Sequence, residues 1–172
     1  QSRSSAASDV YKRQTYNIYN VCKRILPALK EHFIGWTNNH GIPIKIVVRP
    51  DSGDPATVLF GWDSKKAPDE KYFTTSKRIA EDMNISTSEA CELIDKGIFQ
   101  ILFEEFGFTI NSKGFKVFHP QIGVLQGDGV HYKMMQSMYR IMIAKKLDIM
   151  NLVFGSGGKY LQAHDRDEQA YA

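Results

Sequence analysis

Three short apolar runs, each leading directly into a turn rich in glycine and aspartate, constrain the fold of this chain more than any other feature. The runs and the turns that follow them are residues 44–48 and 49–55, residues 122–125 and 126–129, and residues 152–154 and 155–158. Near-continuous apolar runs are typical of strands buried on both faces of a parallel sheet. Because the carboxyl ends of parallel strands lie at one edge, the three turns are predicted to form a single polar rim. Such rims bind phosphorylated sugars in α/β proteins.

The segments between these runs complete an alternating pattern of strands and helices. In chain order we predict a helix kinked at Pro27 (16–32), a buried strand (42–48), a surface excursion (57–87) with one short helix (77–83), a capped helix that begins at Ser86 and Glu89 (89–106), a hairpin (108–118), a strand (122–125), a helix (131–146) and a strand (149–154). This order predicts a parallel α/β sheet with a small β-hairpin and a helical insertion.

Composition excludes several classes of protein. The 172 residues fit one domain, and the net charge of +3 is spread along the chain, so no basic patch for nucleic acid is predicted. Cys22 and Cys91 lack the spacing of a zinc site and fit a reducing compartment as small core residues. No apolar run approaches the roughly 20 residues that span a bilayer, and no signal peptide is visible. The prediction is a cytoplasmic protein without a membrane partner.

The first fourteen residues are predicted to be foreign to the domain. Residues 4–14 match the translation of a common transposase-based sequencing adapter. The alternative is a native polar tail that is disordered by composition. We therefore assign residues 1–14 to a non-native tail and residues 15–172 to a partial α/β domain, with an insertion at about residues 57–87.

The turn after the first strand carries a guanidinium and two carboxylates. Arg49 can hold a phosphate through two parallel donors. Asp51 can accept from ribose hydroxyls or hold a metal-bound water. The alternative is a simple turn with a surface pair of arginine and aspartate.

The other two turns offer similar chemistry. Gly127 and Asp128 would let a sugar approach the backbone and bond its hydroxyls, although such a pair also occurs in ordinary turns. Gly157 and Gly158 can present consecutive amide N–H groups to an anion, with Arg166 close behind, although the segment could also be a flexible loop.

Several motifs together resemble the nicotinamide phosphoribosyltransferases, which are type II phosphoribosyltransferases. They are residues 16–20, 49–55, 111–116, 126–129, 154–158, 161–162 and 166–167. The resemblance runs from about residue 15 to residue 167 and is interrupted only at 57–87, where the chain is similar to the longer bacterial and phage forms.

The resemblance implies a pentosyltransferase of NAD biosynthesis and salvage. It would join nicotinamide to 5-phosphoribosyl pyrophosphate, with magnesium, and yield nicotinamide mononucleotide and pyrophosphate. The implied fold is an irregular parallel α/β barrel, and the implied assembly is a homodimer with active sites at the interface.

The resemblance also assigns roles to individual residues. Arg49 would contact the phosphate, while Asp51 and Asp128 would be catalytic, holding ribose hydroxyls and organising the magnesium shell. No direct metal ligand is implied, and magnesium would reach Asp51 through water. Gly127 would make room for the sugar. The remaining phosphate contacts would come from Gly157, Gly158 and Arg166.

Three departures limit what the chain could do alone. The aspartate that precedes Tyr16 in the family is replaced here, and Lys159 stands where the family has a third glycine. The catalytic histidine and the base-recognition aspartate of the family lie upstream of the matched segment. The chain alone is therefore expected to be an inactive fragment. A nicotinate- or quinolinate-type transferase and a non-catalytic phosphosugar- or nucleotide-binding module are the alternatives.

Overall fold

A three-stranded parallel sheet lies at the centre of the computed structural model, which describes residues 17–127 and 129–155. The strands in chain order are β1 (Ile46–Val48), β2 (Phe108–Ile110), β3 (Lys116–Phe118), β4 (Ile122–Gln126) and β5 (Leu152–Phe154). The sheet has the order β1-β4-β5, whereas β2 and β3 form the predicted antiparallel hairpin. Val48 pairs with Val124, which pairs with Leu152, and both ladders are parallel. The carboxyl ends of β1, β4 and β5 therefore lie at the same edge of the sheet, as predicted. We call this edge the carboxyl edge.

Five helices surround the two sheets in the described part of the chain. Helix α1 covers residues 18–28, and the others are α2 (Pro55–Phe60), α3 (Glu70–Met83), α4 (Thr87–Phe106) and α5 (Tyr132–Ala144). Short 3-10 turns cover Lys30–His32 and Ile149–Asn151. No helix among these residues is long and apolar enough to cross a lipid bilayer.

Helix α1 is irregular at the position where a kink was predicted. Its middle segment, Val21–Ile25, is π-helical, and Leu26 N–H donates to the carbonyl of Val21. Pro27 has no N–H to continue the regular pattern, and a π-bulge is one of the few ways in which a helix absorbs such an interruption.

The first strand is shorter and more exposed than predicted. Only Ile46–Val48 is extended in the sheet, and Val47 is 48% exposed. Residues 36–44 instead fold back on themselves, with Ile44 N–H donating to the carbonyl of Trp36. Pro43 has no N–H for a ladder. Burial on both faces was the wrong prediction, because Val47 and Val153 lie on the same face of the sheet and are 48% and 54% exposed.

The loop that leads into β1 is held by one buried glutamine. The side-chain amide of Gln121 lies 2.7 Å from the carbonyl oxygen of Phe33 and 3.0 Å from that of Ile44. Its side-chain oxygen accepts from Gly35 N–H at 2.7 Å. Because buried polar groups are costly without partners, this network fixes how the chain enters the sheet.

The segment predicted as a surface excursion is part of the packed structure. Helix α3 has twice the predicted length and packs against α4. Its N-cap is Asp69, and its buried face comprises Tyr72, Ser76, Ile79, Ala80 and Met83. The prediction was wrong because the charged residues before α3 are typical of a loop, whereas the apolar residues of α3 itself recur at helical spacing.

Helices α2 and α4 approach closely through two glycines. Helix α4 begins with the predicted capping box of Ser86 and Glu89, but it is kinked at Gly97, where φ is 67° and ψ is 167°. A Cβ on Gly97 would lie 2.2 Å from the backbone nitrogen of Gly61, which caps α2. Trp62 N–H then donates to the carbonyl of Ile94 at 3.1 Å. The crossing therefore depends on two residues without side chains.

The core lies between α4 and the two sheets. Phe99 packs on Phe60 and Phe118 with ring centroids 5.0 and 4.8 Å apart. Met138 and Met142 of α5 are buried, and Cys22 is fully buried. Burial raises the pKa of the Cys22 thiol to about 12, so this cysteine is an inert core residue.

Candidate functional site

The two aspartates in the turn after β1, Asp51 and Asp54, have different environments. Arg49, Asp51 and Asp54 are all exposed, and Pro50 is buried between them. The Asp54 carboxylate accepts from Thr57 N–H at 2.9 Å and from the Thr57 hydroxyl at 2.8 Å, which makes it the N-cap of α2. Aspartate followed by proline is a helix-start signal, so the sequence itself could have distinguished this carboxylate from Asp51.

We expect Asp54→Ala to lower the free energy of unfolding by about 1 kcal/mol, because it removes a helix cap. Asp54→Asn retains an acceptor for Thr57 N–H and should be nearly neutral. Urea denaturation of both variants and the unchanged chain measures the difference. Equal losses in both variants would show that the negative charge, and not the cap, matters at this position.

Arg49 lies directly against the end of β4. A Cβ on Gly127 would lie 2.9 Å from Nε of Arg49 and 3.0 Å from its Cζ. Gly155, which follows β5, donates its N–H to the carbonyl of Gln126 at 2.8 Å, and a Cβ there would lie 3.4 Å from the Cα of Gly127. The three strand ends therefore meet at Gly127, whose missing side chain leaves room for the guanidinium.

A cleft of about 1420 Å³ opens beside this meeting point. Arg49, Asp51 and the end of β1 line it on the sheet side, and α1 and α3 contribute further walls. The lining mixes apolar side chains of the strand and helices with charged groups at the rim. A pocket of this kind can hold the apolar and the charged parts of one ligand.

Asp51 is the carboxylate in this cleft that remains available to a ligand. Among the described residues it takes part in no hydrogen bond or ion pair. No group of three or more acidic, histidine or cysteine side chains that could hold a metal ion occurs in this part of the chain. Magnesium commonly binds through one or two carboxylates, waters and substrate phosphates, and a lone carboxylate two residues from an arginine fits that mode.

The structure brings together some of the predicted site residues. Arg49, Asp51 and Gly127 lie at the carboxyl edge, as predicted, although Asp51 and Gly127 are not shown in contact. The other predicted residues lie outside the described part of the chain; they are Asp128, Gly157, Gly158 and Arg166. The sequence analysis did not predict that α3 contributes to the cleft, because it predicts a surface excursion for residues 57–87.

Comparison with known proteins decides the family. A model of the nicotinate phosphoribosyltransferase (NAPRTase) family matches residues 2–172. The chain belongs to this family. The match includes residues 2–14, and the assignment of a non-native tail stays a prediction.

Curated relatives of this NAPRTase-family chain are named nicotinamide phosphoribosyltransferase. The protein of Acinetobacter baylyi is 28% identical over 158 residues, which cover 92% of this chain and 27% of the relative. That of Xanthomonas campestris is 30% identical over 161 residues, with 92% and 25% covered. That of Mycoplasma pneumoniae is 27% identical over 153 residues, with 89% and 28% covered. The chain spans about a quarter of the length of these relatives.

Proposed function

We propose that this chain forms the ribose-phosphate-binding part of a nicotinamide phosphoribosyltransferase. The reaction would transfer phosphoribosyl from 5-phosphoribosyl pyrophosphate to nicotinamide and yield nicotinamide mononucleotide and pyrophosphate. The observation that carries the proposal is the contact of Arg49 with Gly127 at the carboxyl edge, in a chain of this family. The chain spans about a quarter of the length of its relatives. In this proposal, the base pocket and the catalytic histidine that the resemblance implies are supplied by other parts of the complete protein.

Each site residue has a part in this proposal. The Arg49 guanidinium binds the 5-phosphate, and Gly127 leaves the space that the guanidinium and the sugar share. Asp51 and Asp128 hold the ribose hydroxyls and place negative charge near the anomeric carbon. Bond breaking at that carbon develops positive charge, which nearby carboxylates stabilise. The amides of Gly157 and Gly158 and the Arg166 side chain add phosphate contacts.

Magnesium is the proposed cofactor. It would neutralise charge on the departing diphosphate. Asp51 would hold a water of its coordination shell; in support, its carboxylate lines the cleft and takes part in no hydrogen bond within the described residues.

The proposed architecture is the irregular barrel of the type II enzymes, within a cytoplasmic homodimer. Support comes from the all-parallel order β1-β4-β5, in which β1 and β5 each pair on one side only among the described strands. Additional parallel strands along those edges would extend the sheet toward closure.

Nicotinate is the second candidate for the base. The relatives are named for nicotinamide, whereas the family description names nicotinate. The test is a product assay on the complete protein that contains this chain, with 5-phosphoribosyl pyrophosphate, magnesium and either base. We expect nicotinamide mononucleotide as the main product and at least a hundredfold loss of kcat in Asp51→Asn. Turnover of nicotinate alone would select the second candidate, and no turnover of either base would favour a binding module.

Gly127→Ala separates a binding role from a structural one. We expect the free energy of unfolding to change by less than about 0.5 kcal/mol, because the new methyl meets a flexible side chain. Affinity for ribose 5-phosphate should fall about tenfold, because the guanidinium of Arg49 is displaced. The matched control is Gly123→Ala, within β4, where the methyl meets the flexible side chain of Lys45 at 2.8 Å. Calorimetric titration should show no loss in the control; equal losses in both variants would contradict the role of Gly127.

A further inference from the structure

Helix α3 lends one face to the cleft that holds Arg49. Lys71, Thr75, Arg78 and Asp82 all line this cleft, and their spacing of four, three and four residues places them on one side of the helix. Lys66, in the loop before the helix, lines it as well. Lys77, next to Arg78 in sequence, does not line it. Three cations outside the strand-end turns therefore face the same space as Arg49.

These cations are not used within the described structure. Among residues 17–127 and 129–155, the ion pairs join Lys23 to Glu105 and Lys96 to Glu104, away from the cleft. Within the same ranges, the side chains of Lys66, Lys71 and Arg78 take part in no hydrogen bond or ion pair. Arg78 and Asp82 are four residues apart on one face but do not form an ion pair. The positive charges thus remain available to a ligand.

Most of the acidic side chains in the cleft have other partners. Asp69 accepts from Tyr72 N–H at 2.8 Å and caps α3, and Asp63 accepts from Lys65 N–H at 3.1 Å. Asp82 accepts from the side-chain amide of Asn17 at 3.4 Å, and Asp54 caps α2. Asp51 is the cleft carboxylate without such a partner among the described residues. These hydrogen bonds leave the negative charge of the aspartates in place, so the cleft lining carries four cations and five carboxylates. A diphosphate that carries a divalent cation can pair its phosphates with the cations and its metal ion with Asp51.

The helix is fixed firmly enough to present its charges in one place. The Tyr72 hydroxyl donates to Asp95 of α4 at 2.9 Å, and burial raises the pKa of this phenol well above its ordinary value, so that it remains a donor. At the other end, the Arg24 guanidinium donates to the carbonyl of Met83 at 2.6 Å. The Trp62 indole N–H donates to the carbonyl of Lys66 at 3.0 Å and anchors the preceding loop. A helix held at both ends is a suitable support for a binding wall.

We propose that Lys66, Lys71 and Arg78 form a second phosphate-binding wall, which holds the diphosphate of the phosphoribosyl donor while Arg49 holds the 5-phosphate. This assignment rests on the proposed function and extends the site to a segment that the sequence motifs do not include. It gives the residues between α2 and α4 a role in substrate binding. Separating the two anionic groups of the donor would also orient the anomeric carbon between them.

The test is calorimetric titration of the full 172-residue chain with two probes, magnesium pyrophosphate and ribose 5-phosphate. We expect the double variant Lys71→Gln/Arg78→Gln to bind pyrophosphate at least tenfold more weakly and to bind ribose 5-phosphate within twofold of the unchanged chain. Lys77→Gln is the matched control, because it removes a charge from the same helix outside the cleft, and it should bind both probes normally. Thermal melts of the variants should coincide, because all three side chains are exposed.

Arg49→Gln distinguishes failure of this inference from failure of the proposed function. If that variant no longer binds ribose 5-phosphate while the double variant binds pyrophosphate normally, the second phosphate-binding wall is wrong and the proposed function stands. If Arg49→Gln binds ribose 5-phosphate normally, the proposed function itself is contradicted. An unchanged chain that melts cooperatively and does not bind magnesium pyrophosphate would overturn the second wall.

Discussion

Gly97→Ala is expected to lower the free energy of unfolding by about 4 kcal/mol, a larger loss than most single substitutions cause. The backbone of Gly97 has φ of 67° and ψ of 167°, a region that is open almost only to glycine and costs other residues roughly 1–3 kcal/mol. The added methyl would also lie 2.2 Å from the backbone nitrogen of Gly61. Backbone atoms cannot rotate away, so α2 and α4 would have to separate.

Gly107→Ala is the matched control for this prediction. Gly107 ends the same helix with φ of 78° and ψ of 177°, but a Cβ there meets nothing within 4 Å. The control variant should therefore lose only the conformational part, about 1–2 kcal/mol. Denaturant unfolding of the two variants gives the comparison. Losses that agree within about 1 kcal/mol would mean that the close approach of the two helices contributes little to stability.

Arg49→Gln is expected to weaken binding of ribose 5-phosphate about thirtyfold, or roughly 2 kcal/mol, because a charge-assisted contact with phosphate is lost. The side chain is exposed and rests against Gly127, so the fold should be retained. Lys45→Gln is the control: it removes a charge just before the same strand, where its side chain lies against Gly123 and not at the carboxyl edge. Calorimetric titration of each variant with ribose 5-phosphate measures the two affinities.

An equal loss of affinity in the control would mean that net charge, and not the position of the guanidinium, determines binding. Unaltered affinity in Arg49→Gln would remove Arg49 from the phosphate site. In either case the carboxyl edge would lose its strongest candidate for phosphate recognition.

The elements that sequence reasoning predicted best are those with a local signal. The apolar run of β4 is followed by Gly127, and the capping box of Ser86 and Glu89 marks the start of α4. In both cases the residues that form the element also carry the information for it. The meeting of three strand ends followed from parallel pairing, which the alternation of strands and helices indicated.

The elements that it missed depend on contacts between distant segments. The kink at Gly97 exists because Gly61 lies against it, 36 positions earlier, and no local pattern contains that contact. Val47 is exposed because the described residues leave most of its face of the sheet uncovered, and the sequence of β1 does not encode what packs on that face. The sequence does not show that Lys71 and Arg78 line the same cleft as Arg49, because this depends on the position of α3 relative to β1.

If this chain recognises a ribose phosphate at its carboxyl edge, it should bind nicotinamide mononucleotide more tightly than nicotinamide riboside, which lacks only the phosphate. Calorimetric titration of each ligand, with magnesium, into the 172-residue chain measures the difference. We expect measurable binding of the mononucleotide, at least tenfold weaker binding of the riboside, and loss of mononucleotide binding in Asp128→Ala. A cooperatively folded chain that binds neither ligand, or binds both equally, would rule out recognition of the phosphate at this edge.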